Sequence, residues 1–299
     1  PMSNAEPRFG RLITAMVTPF NDERELDLDR AQALATRLIE GGNDSLIING
    51  TTGESPTVFY PQKIELFRAV VEAVGGKASV IANVGDNCTA DTVNFAKDVA
   101  KLGVDGFMCV VPYYNKPPQE GMYQHFKTIA NAVELPIILY NIPGRCVVNM
   151  EAETTLRLAN DCENIIAVKE ASGKMDQIAT IAAAAPEGFS VYSGDDSATY
   201  DIMRLGGAGV ISTTGNVAPE RMKKLVTKCA EGKWDEAWAA HEALLPLMNG
   251  LFETSNPILV KEALKLVGFP VGGVRLPLID ATAEQSARLA SIMREVGVL

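Results

Sequence analysis

Histidine is scarce in this chain: among 299 residues only His125 and His241 occur, far apart and each in a helical stretch. That leaves no basis for a histidine-built metal centre or a Ser-His-Asp triad. The five cysteines, Cys88, Cys109, Cys146, Cys162 and Cys229, are odd in number and scattered. Without a CxxC pair they fit reduced thiols better than a disulfide framework or a zinc knuckle. Basic charge is also in deficit. A formal net charge of −10 argues against nucleic acid or an anionic membrane as partner. No apolar run approaches the roughly 18 residues that a spanning helix needs, and no basic-then-apolar leader opens the chain; a cytoplasmic location is expected. Finally, a doubly wound nucleotide-binding sheet would place GxGxxG after its first strand, where this chain has "VTPFNDERE". The chemistry left over belongs to lysine, tyrosine, threonine, carboxylates and backbone amides.

What is present is rhythm. Eight short apolar, β-rich runs alternate with segments of helical periodicity: "LITAMV" from Leu12, "SLIING" from Ser45, "SVIANV" from Ser79, "GFMCVVP" from Gly106, "PIILYN" from Pro136, "IIAVKE" from Ile165, "FSVYSG" from Phe189 and "GVIST" from Gly209. Glycines recur where a helix gives way to a strand, in "LIEGGNDSLI", "AKLGVDGFM" and "MRLGGAGVI", as left-handed helix ends require. The pattern predicts an α/β fold, a (β/α)8 TIM barrel over residues 8–218. From Pro219 the strand rhythm stops, and four helical segments predict a C-terminal helical domain over 219–299.

Alternation along "IIAVKE" sets Ile165, Ala167 and Lys169 on one strand face and Ile166 and Val168 on the other. If the bulky pair meets the helices, Lys169 points inward at the C-terminal mouth, where barrel enzymes hold their active sites. An ordinary lysine, pKa near 10.4, is neutral in only about one molecule in 2,500 at pH 7; burial in an apolar barrel lowers that pKa and yields a nucleophile. The plain alternative is a solvated lysine at a strand end. "NGTTGES" follows the second strand, and its glycines allow a tight turn whose Thr51 and Thr52 amides converge on an anion; the alternative is a simple βα corner. Tyr140 ends the fifth strand and Tyr113 and Tyr114 follow the fourth, all at the mouth and all able to pass protons or merely to pack. Arg145 is placed to clamp a carboxylate, or only to meet solvent. "SGDDS" pairs Asp195 with Asp196, and without further ligands it reads as a loop rather than a metal site.

Together "GTTGES", "PYYNKPPQEG", "YNIPGR", "VKEASG" and "SGDDS", in this order and spacing, resemble the dihydrodipicolinate synthase family, within the pyruvate-dependent class I aldolases that also include N-acetylneuraminate lyase. The resemblance runs over essentially the whole chain. It implies that Lys169 forms a Schiff base with pyruvate, and that the resulting enamine adds to L-aspartate 4-semialdehyde on the route to diaminopimelate and lysine. It implies Tyr140 as proton shuttle, with Thr52 connecting it to Tyr114, and Tyr114 capping a neighbouring subunit's site. The Thr51 and Thr52 amides would hold the pyruvate carboxylate, Arg145 the carboxylate of the semialdehyde, and Gly194 and Ile211 would line the pocket. No metal or organic cofactor is implied, and the usual assembly is a homotetramer, with dimers also occurring.

Sialic-acid lyases resemble one another in having Ser-Thr at the threonine pair and no arginine after "YNIP"; this chain has the synthase version of both. Cys146 stands where threonine is more usual. Family members inhibited by lysine have two histidines where this chain has Tyr60 and Lys63, so weak feedback inhibition is expected. The competing readings are a related pyruvate lyase acting on a sugar acid or another 2-oxo acid, and a catalytically silent barrel that binds a carboxylate.

Overall fold

The computed structural model describes residues 5–299. Eight parallel strands pair in sequence order, and the last pairs with the first to close a barrel. They are β1 (Leu12–Ala15), β2 (Ser45–Ile48), β3 (Ser79–Asn83), β4 (Gly106–Val110), β5 (Ile137–Asn141), β6 (Ile165–Glu170), β7 (Ser190–Ser193) and β8 (Gly209–Ser212). The intervening helices are α1 (Leu28–Glu40), α2 (Tyr60–Val74), α3 (Thr89–Ala100), α4 (Gln119–Ala132), the short α5 (Pro143–Cys146), α6 (Ala152–Asp161), α7 (Met175–Ala184) and α8 (Thr199–Arg204). After β8 come α9 (Pro219–Ala230), α10 (Trp234–Gly250), α11 (Ile258–Leu266) and α12 (Ala283–Glu295). The TIM barrel with a C-terminal run of helices is therefore the observed architecture.

Local chemistry accounts for the elements. In α1, Asp27 caps the N-terminus by accepting from the Arg30 amide at 3.0 Å, satisfying an otherwise orphaned donor. Ala31, Leu34, Ala35 and Leu38 then form one buried stripe, the spacing of a single helical face. Gly103 and Gly206 have φ +86° and +104°, left-handed values that let the chain leave α3 and α8 at the glycine corners read from the sequence.

Two apolar layers result from strand alternation. Ile13, Ile47, Ile81, Met108, Ile138, Ala167, Tyr192 and Ile211 fill the barrel's interior. Leu12, Leu46, Val80, Phe107, Leu139 and Val168 face outward into a larger core that continues without a break into the C-terminal helices through Leu244, Leu264 and Leu289. Full burial of each such side chain contributes roughly 1.5–3 kcal/mol. At the N-terminal end Phe9 acts as a stopper: a Cβ added to Gly106, at the start of β4, would come within 2.7 Å of the Phe9 ring. The Tyr192 hydroxyl donates to the Gly10 carbonyl at 2.7 Å beside it.

One expected face is corrected. Strict alternation sets Ile165 inward, yet Ile165 belongs to the outer core and Ile166 packs against the inner one. The cause is a register shift, with Ile137 opposite Ile165 but Ile138 opposite Ala167; the extra residue of a bulge flips the face locally. From Ala167 onward the alternation holds, and Lys169 lies inward beside Tyr140.

His125 is buried in α4 with its Nδ1 2.7 Å from Thr89 Oγ1 and its Nε2 without a hydrogen-bond partner. Burial draws its pKa down to about 4. A base held below its unfolded pKa of about 6.5 contributes stability above pH 6.5 and loses it as pH falls toward 4. We expect this group to cost about 2 kcal/mol of stability between pH 7 and pH 5. Urea unfolding at the two values checks this, with His125→Gln flattening the difference.

Candidate active site

The C-terminal mouth of the barrel gathers residues from five strand ends. Lys169, two residues after Ala167 on β6, is 6% exposed, and its Nζ lies 3.9 Å from the centroid of the Tyr140 ring. The two residues are register partners on β5 and β6, so strand pairing itself stacks the amine on the phenol face. Burial draws the Lys169 pKa down from 10.5 to about 8, against the opposing pull of the Asp195 and Asp196 charges and with a small further push from Arg145. Desolvation thus outweighs the two carboxylates. A fraction of the amine large enough to act as a nucleophile is present near neutral pH.

Tyr140 is 4% exposed. Burial raises its pKa above the ordinary phenol value, partly offset by the neighbouring Thr51 side chain and by the Arg145 charge. Its proton is therefore held firmly until a neighbouring base or developing anion takes it.

The turn after β2 brings a correction. Thr52 does not link Tyr140 with Tyr114 in this chain. Its hydroxyl accepts from Asn256 Nδ2 at 2.8 Å and stands 3.4 Å from Thr213 Oγ1. Thr51 is the residue beside the phenol. Successive side chains of a tight turn point in different directions, so only one of the pair can face Tyr140. Tyr114 lies on the loop after β4 with φ +76° and is 89% exposed; within a single chain it projects away from the barrel. Its neighbours are held by Asn87, which donates to the Tyr113 carbonyl at 3.0 Å and accepts from Asn115 at 2.8 Å.

Arg145 sits exposed on α5 at the rim. The turn beneath it is anchored by Cys146, whose buried thiol donates to the Val111 carbonyl at 3.3 Å, a bond that a threonine hydroxyl in the same place would also make. Gly194 follows β7, and a Cβ there would come within 2.7 Å of Ala171 Cβ and 3.0 Å of the Glu170 carbonyl, so only glycine fits beside the end of β6. Ile211, 2% exposed, lies in the inner core.

The two carboxylates of "SGDDS" divide their work. Asp196 is buried and accepts from Ser212 Oγ, from the Thr213 and Thr214 amides at 3.1 and 2.8 Å, and from Thr214 Oγ1 at 2.8 Å; it ties β7 to the loop after β8. Asp195 faces the lysine, and its own pKa is raised chiefly by burial, with Lys169 opposing the rise. Among the described residues no group of three or more His, Cys, Asp or Glu is placed to hold a metal.

Several supporting residues are missing from the sequence reading. Glu170 is fully buried on the outward face of β6, accepting from Asn141 Nδ2 at 2.8 Å and Ser172 Oγ at 2.5 Å. A carboxylate on the helix-facing side of a buried strand is costly unless hydrogen-bonded, and that cost was a readable signal. Thr213 and Asn256 gave none, because only the three-dimensional approach of distant loops puts them on Thr52.

Residues 8–296 match the model of the dihydrodipicolinate synthetase family. The 4-hydroxy-tetrahydrodipicolinate synthase of Moorella thermoacetica is 53% identical, covering 98% of this chain and 100% of the other. That of Symbiobacterium thermophilum is 50% identical over 98% of this chain and 100% of its own. A crystal structure of the Cyanidioschyzon merolae enzyme with lysine bound superposes with TM-score 0.96 at 46% identity, covering 98% of this chain and 100% of that one. The chain belongs to the dihydrodipicolinate synthetase family.

The electrostatic account of Lys169 is open to direct measurement. Modification of Lys169 by an amine-selective reagent, followed by peptide mapping, should rise with pH through a midpoint near 8. Asp195→Asn removes an anion that favours the charged amine and should move that midpoint lower; a midpoint that stays put or climbs would contradict the ordering of effects given above.

Proposed function

We propose that this chain condenses pyruvate with L-aspartate 4-semialdehyde to give 4-hydroxy-tetrahydrodipicolinate, a lyase-class step toward diaminopimelate and lysine, with Lys169 as the covalent catalyst. The buried amine stacked on Tyr140 carries the reading. Neutral Lys169 attacks the ketone carbon of pyruvate, and the carbinolamine loses water to leave an iminium. The iminium draws electrons from the adjacent methyl group, one proton departs, and an enamine forms. Its terminal carbon bonds to the aldehyde carbon of the semialdehyde, whose oxygen takes a proton and becomes a hydroxyl. The amino group of the same molecule then attacks the iminium carbon, closes the ring and expels Lys169. Protons balance throughout, and the protein itself supplies the electron sink, so no metal or organic cofactor enters the scheme.

Tyr140 is the proton carrier beside the amine, and Thr51, whose side chain lies next to it, is the next member of the relay. Thr52 supports that turn through Asn256. The Thr51 and Thr52 amides receive the pyruvate carboxylate at a turn whose closing residues hold it tight. Gly194 and Ile211 bound the space around the adduct. Arg145, at the rim, meets the second carboxylate, which favours the semialdehyde over a neutral sugar aldehyde. Tyr114 completes the relay across an interface: its full exposure in one chain suits a residue that enters a neighbour's site, and a homotetramer, or a dimer as its smallest working unit, supplies the neighbour. The same reading divides the chain into a catalytic barrel, 8–218, and a helical part, 219–299. The five free cysteines suit a reducing cytoplasm.

Lysine feedback is weak in this proposal. The Tyr60 hydroxyl is bound to Asp98, and Lys63 presents a cation whose pKa burial lowers while Asp86 opposes the drop. The Lys63 ammonium repels a second ammonium by like charge.

Borohydride reduction with pyruvate should attach the three-carbon adduct to Lys169, found by peptide mass mapping, and Lys169→Ala should take up none. Tyr140→Phe should lower kcat by about 10²–10⁴-fold. A coupled assay offering several aldehydes should turn over aspartate semialdehyde preferentially, with Arg145→Ala raising its KM far more than that of pyruvate. Half-maximal inhibition by lysine is expected only above millimolar concentration.

A further inference from the structure

The Thr51–Thr52 turn is held from behind by the C-terminal helices. Its closing residue is Glu54, whose amide donates to the Thr51 carbonyl at 3.0 Å, while the Ser55 amide donates to the Gly50 carbonyl at 3.1 Å. Glu54 adopts φ +60° and ψ +41°, a left-handed conformation that a non-glycine residue keeps only when its surroundings over-determine it. Its carboxylate is what the surroundings grip. Oε2 stands 2.7 Å from Lys261 Nζ, both side chains being 2% exposed, and Oε1 accepts from the Arg275 amide at 2.9 Å.

Lys261 is the odd member of α11, flanked by buried Ile258, Leu259, Val260, Ala263 and Leu264. Its ammonium also donates to the Gly273 carbonyl at 2.7 Å and lies 4.2 Å over the Phe20 ring. Arg275 packs on the same ring at 4.2 Å and donates to the Thr57 carbonyl at 2.7 Å and to Gln62 Oε1 at 2.8 Å. A buried ion pair of this kind is often no better a stabiliser than apolar residues of the same volume, so stability alone does not account for it. Here the geometry it fixes is the turn two residues away. Asn256, just before α11, grips Thr52 itself at 2.8 Å, an independent contact from the same segment to the same turn.

We propose that Lys261 is a positioning residue: through its buried pair with Glu54, the C-terminal segment holds the Thr51 and Thr52 amides aimed at the carboxylate of the 2-oxo acid that Lys169 attacks. The inference rests on the pyruvate reading given above. Lys261 touches no substrate. It acts by denying the turn any other conformation, so its loss should weaken capture of pyruvate more than the chemistry that follows.

The test compares the wild type with Lys261→Met and with the charge-neutral double variant Lys261→Met/Glu54→Gln. Each is assayed for KM and kcat, and for the pyruvate concentration that half-saturates borohydride trapping on Lys169. We expect each folded variant to raise the pyruvate KM and the half-saturating concentration at least tenfold, with kcat and the KM for the aldehyde moving less than threefold. A folded variant with a lowered Tm but an unchanged pyruvate KM overturns the proposal, as does a loss of kcat with KM intact. Should neither variant fold, hydrogen exchange on the wild-type enzyme decides. Pyruvate should then slow exchange in residues 50–57 and 256–275 together, and slowing confined to the first segment overturns the proposal. If wild-type Lys169 itself takes no adduct, the pyruvate reading fails first; if it does and Lys261→Met saturates at the same concentration, the positioning role alone is lost.

Discussion

A lysine amine out of water is the constraint around which this molecule is arranged. Bringing the Lys169 pKa from 10.5 to about 8 corresponds to about 3 kcal/mol of unfavourable charge burial, a substantial fraction of the net stability of an ordinary domain. The apolar filling of the barrel imposes that cost, and the aromatic face of Tyr140 and the nearby Asp195 keep it bounded. With the carboxylates dominant, the amine would remain a cation and inert. Without them, a group so deeply placed would oppose folding still more strongly. The observed balance, with desolvation ahead of two carboxylates, is the condition for a nucleophile.

Polar residues on the opposite strand face serve a different end. Glu170, next to the lysine but pointing outward, is tied to Asn141 and Ser172, and Asp196 is wrapped by the loop after β8. Glu170 points away from the barrel interior, whereas the Asp196 charge still reaches Lys169. Both fix the strand ends from which the pocket's side chains project, and pre-organisation of that kind is what catalysis by positioning needs. Glu54 and Lys261 extend the same logic to the far end of the sequence, which makes the C-terminal helices part of the machinery rather than an appendage.

Much of this was legible in the sequence, for identifiable reasons. The eight strands could be read because parallel strands buried on both faces are continuous apolar runs, and glycine marks the corners between them. Lys169 stood out because a cation ends such a run. The bulge at Ile165 was hidden, since a register shift depends on the partner strand and not on the residues shifted. Which of Thr51 and Thr52 lies beside Tyr140 was hidden for a similar reason: adjacent residues of one type carry no sign of which way a turn will point each side chain. Asn256 and Lys261 act over a sequence separation that only the folded chain removes, although a lysine amid "PILVKEAL" was a clue of the same kind as the one in β6.

The stopper formed by Phe9 beneath the barrel has its own consequence for traffic. With Phe9 packed into the inner core at the N-terminal end, the C-terminal mouth is the natural approach to Lys169. On the function proposed above, the guest tethered to Lys169 is the deeper one, so it would be seated before the rim is occupied and the finished ring would leave before another guest descends. On that reading, order of arrival would follow from the shape of the vessel.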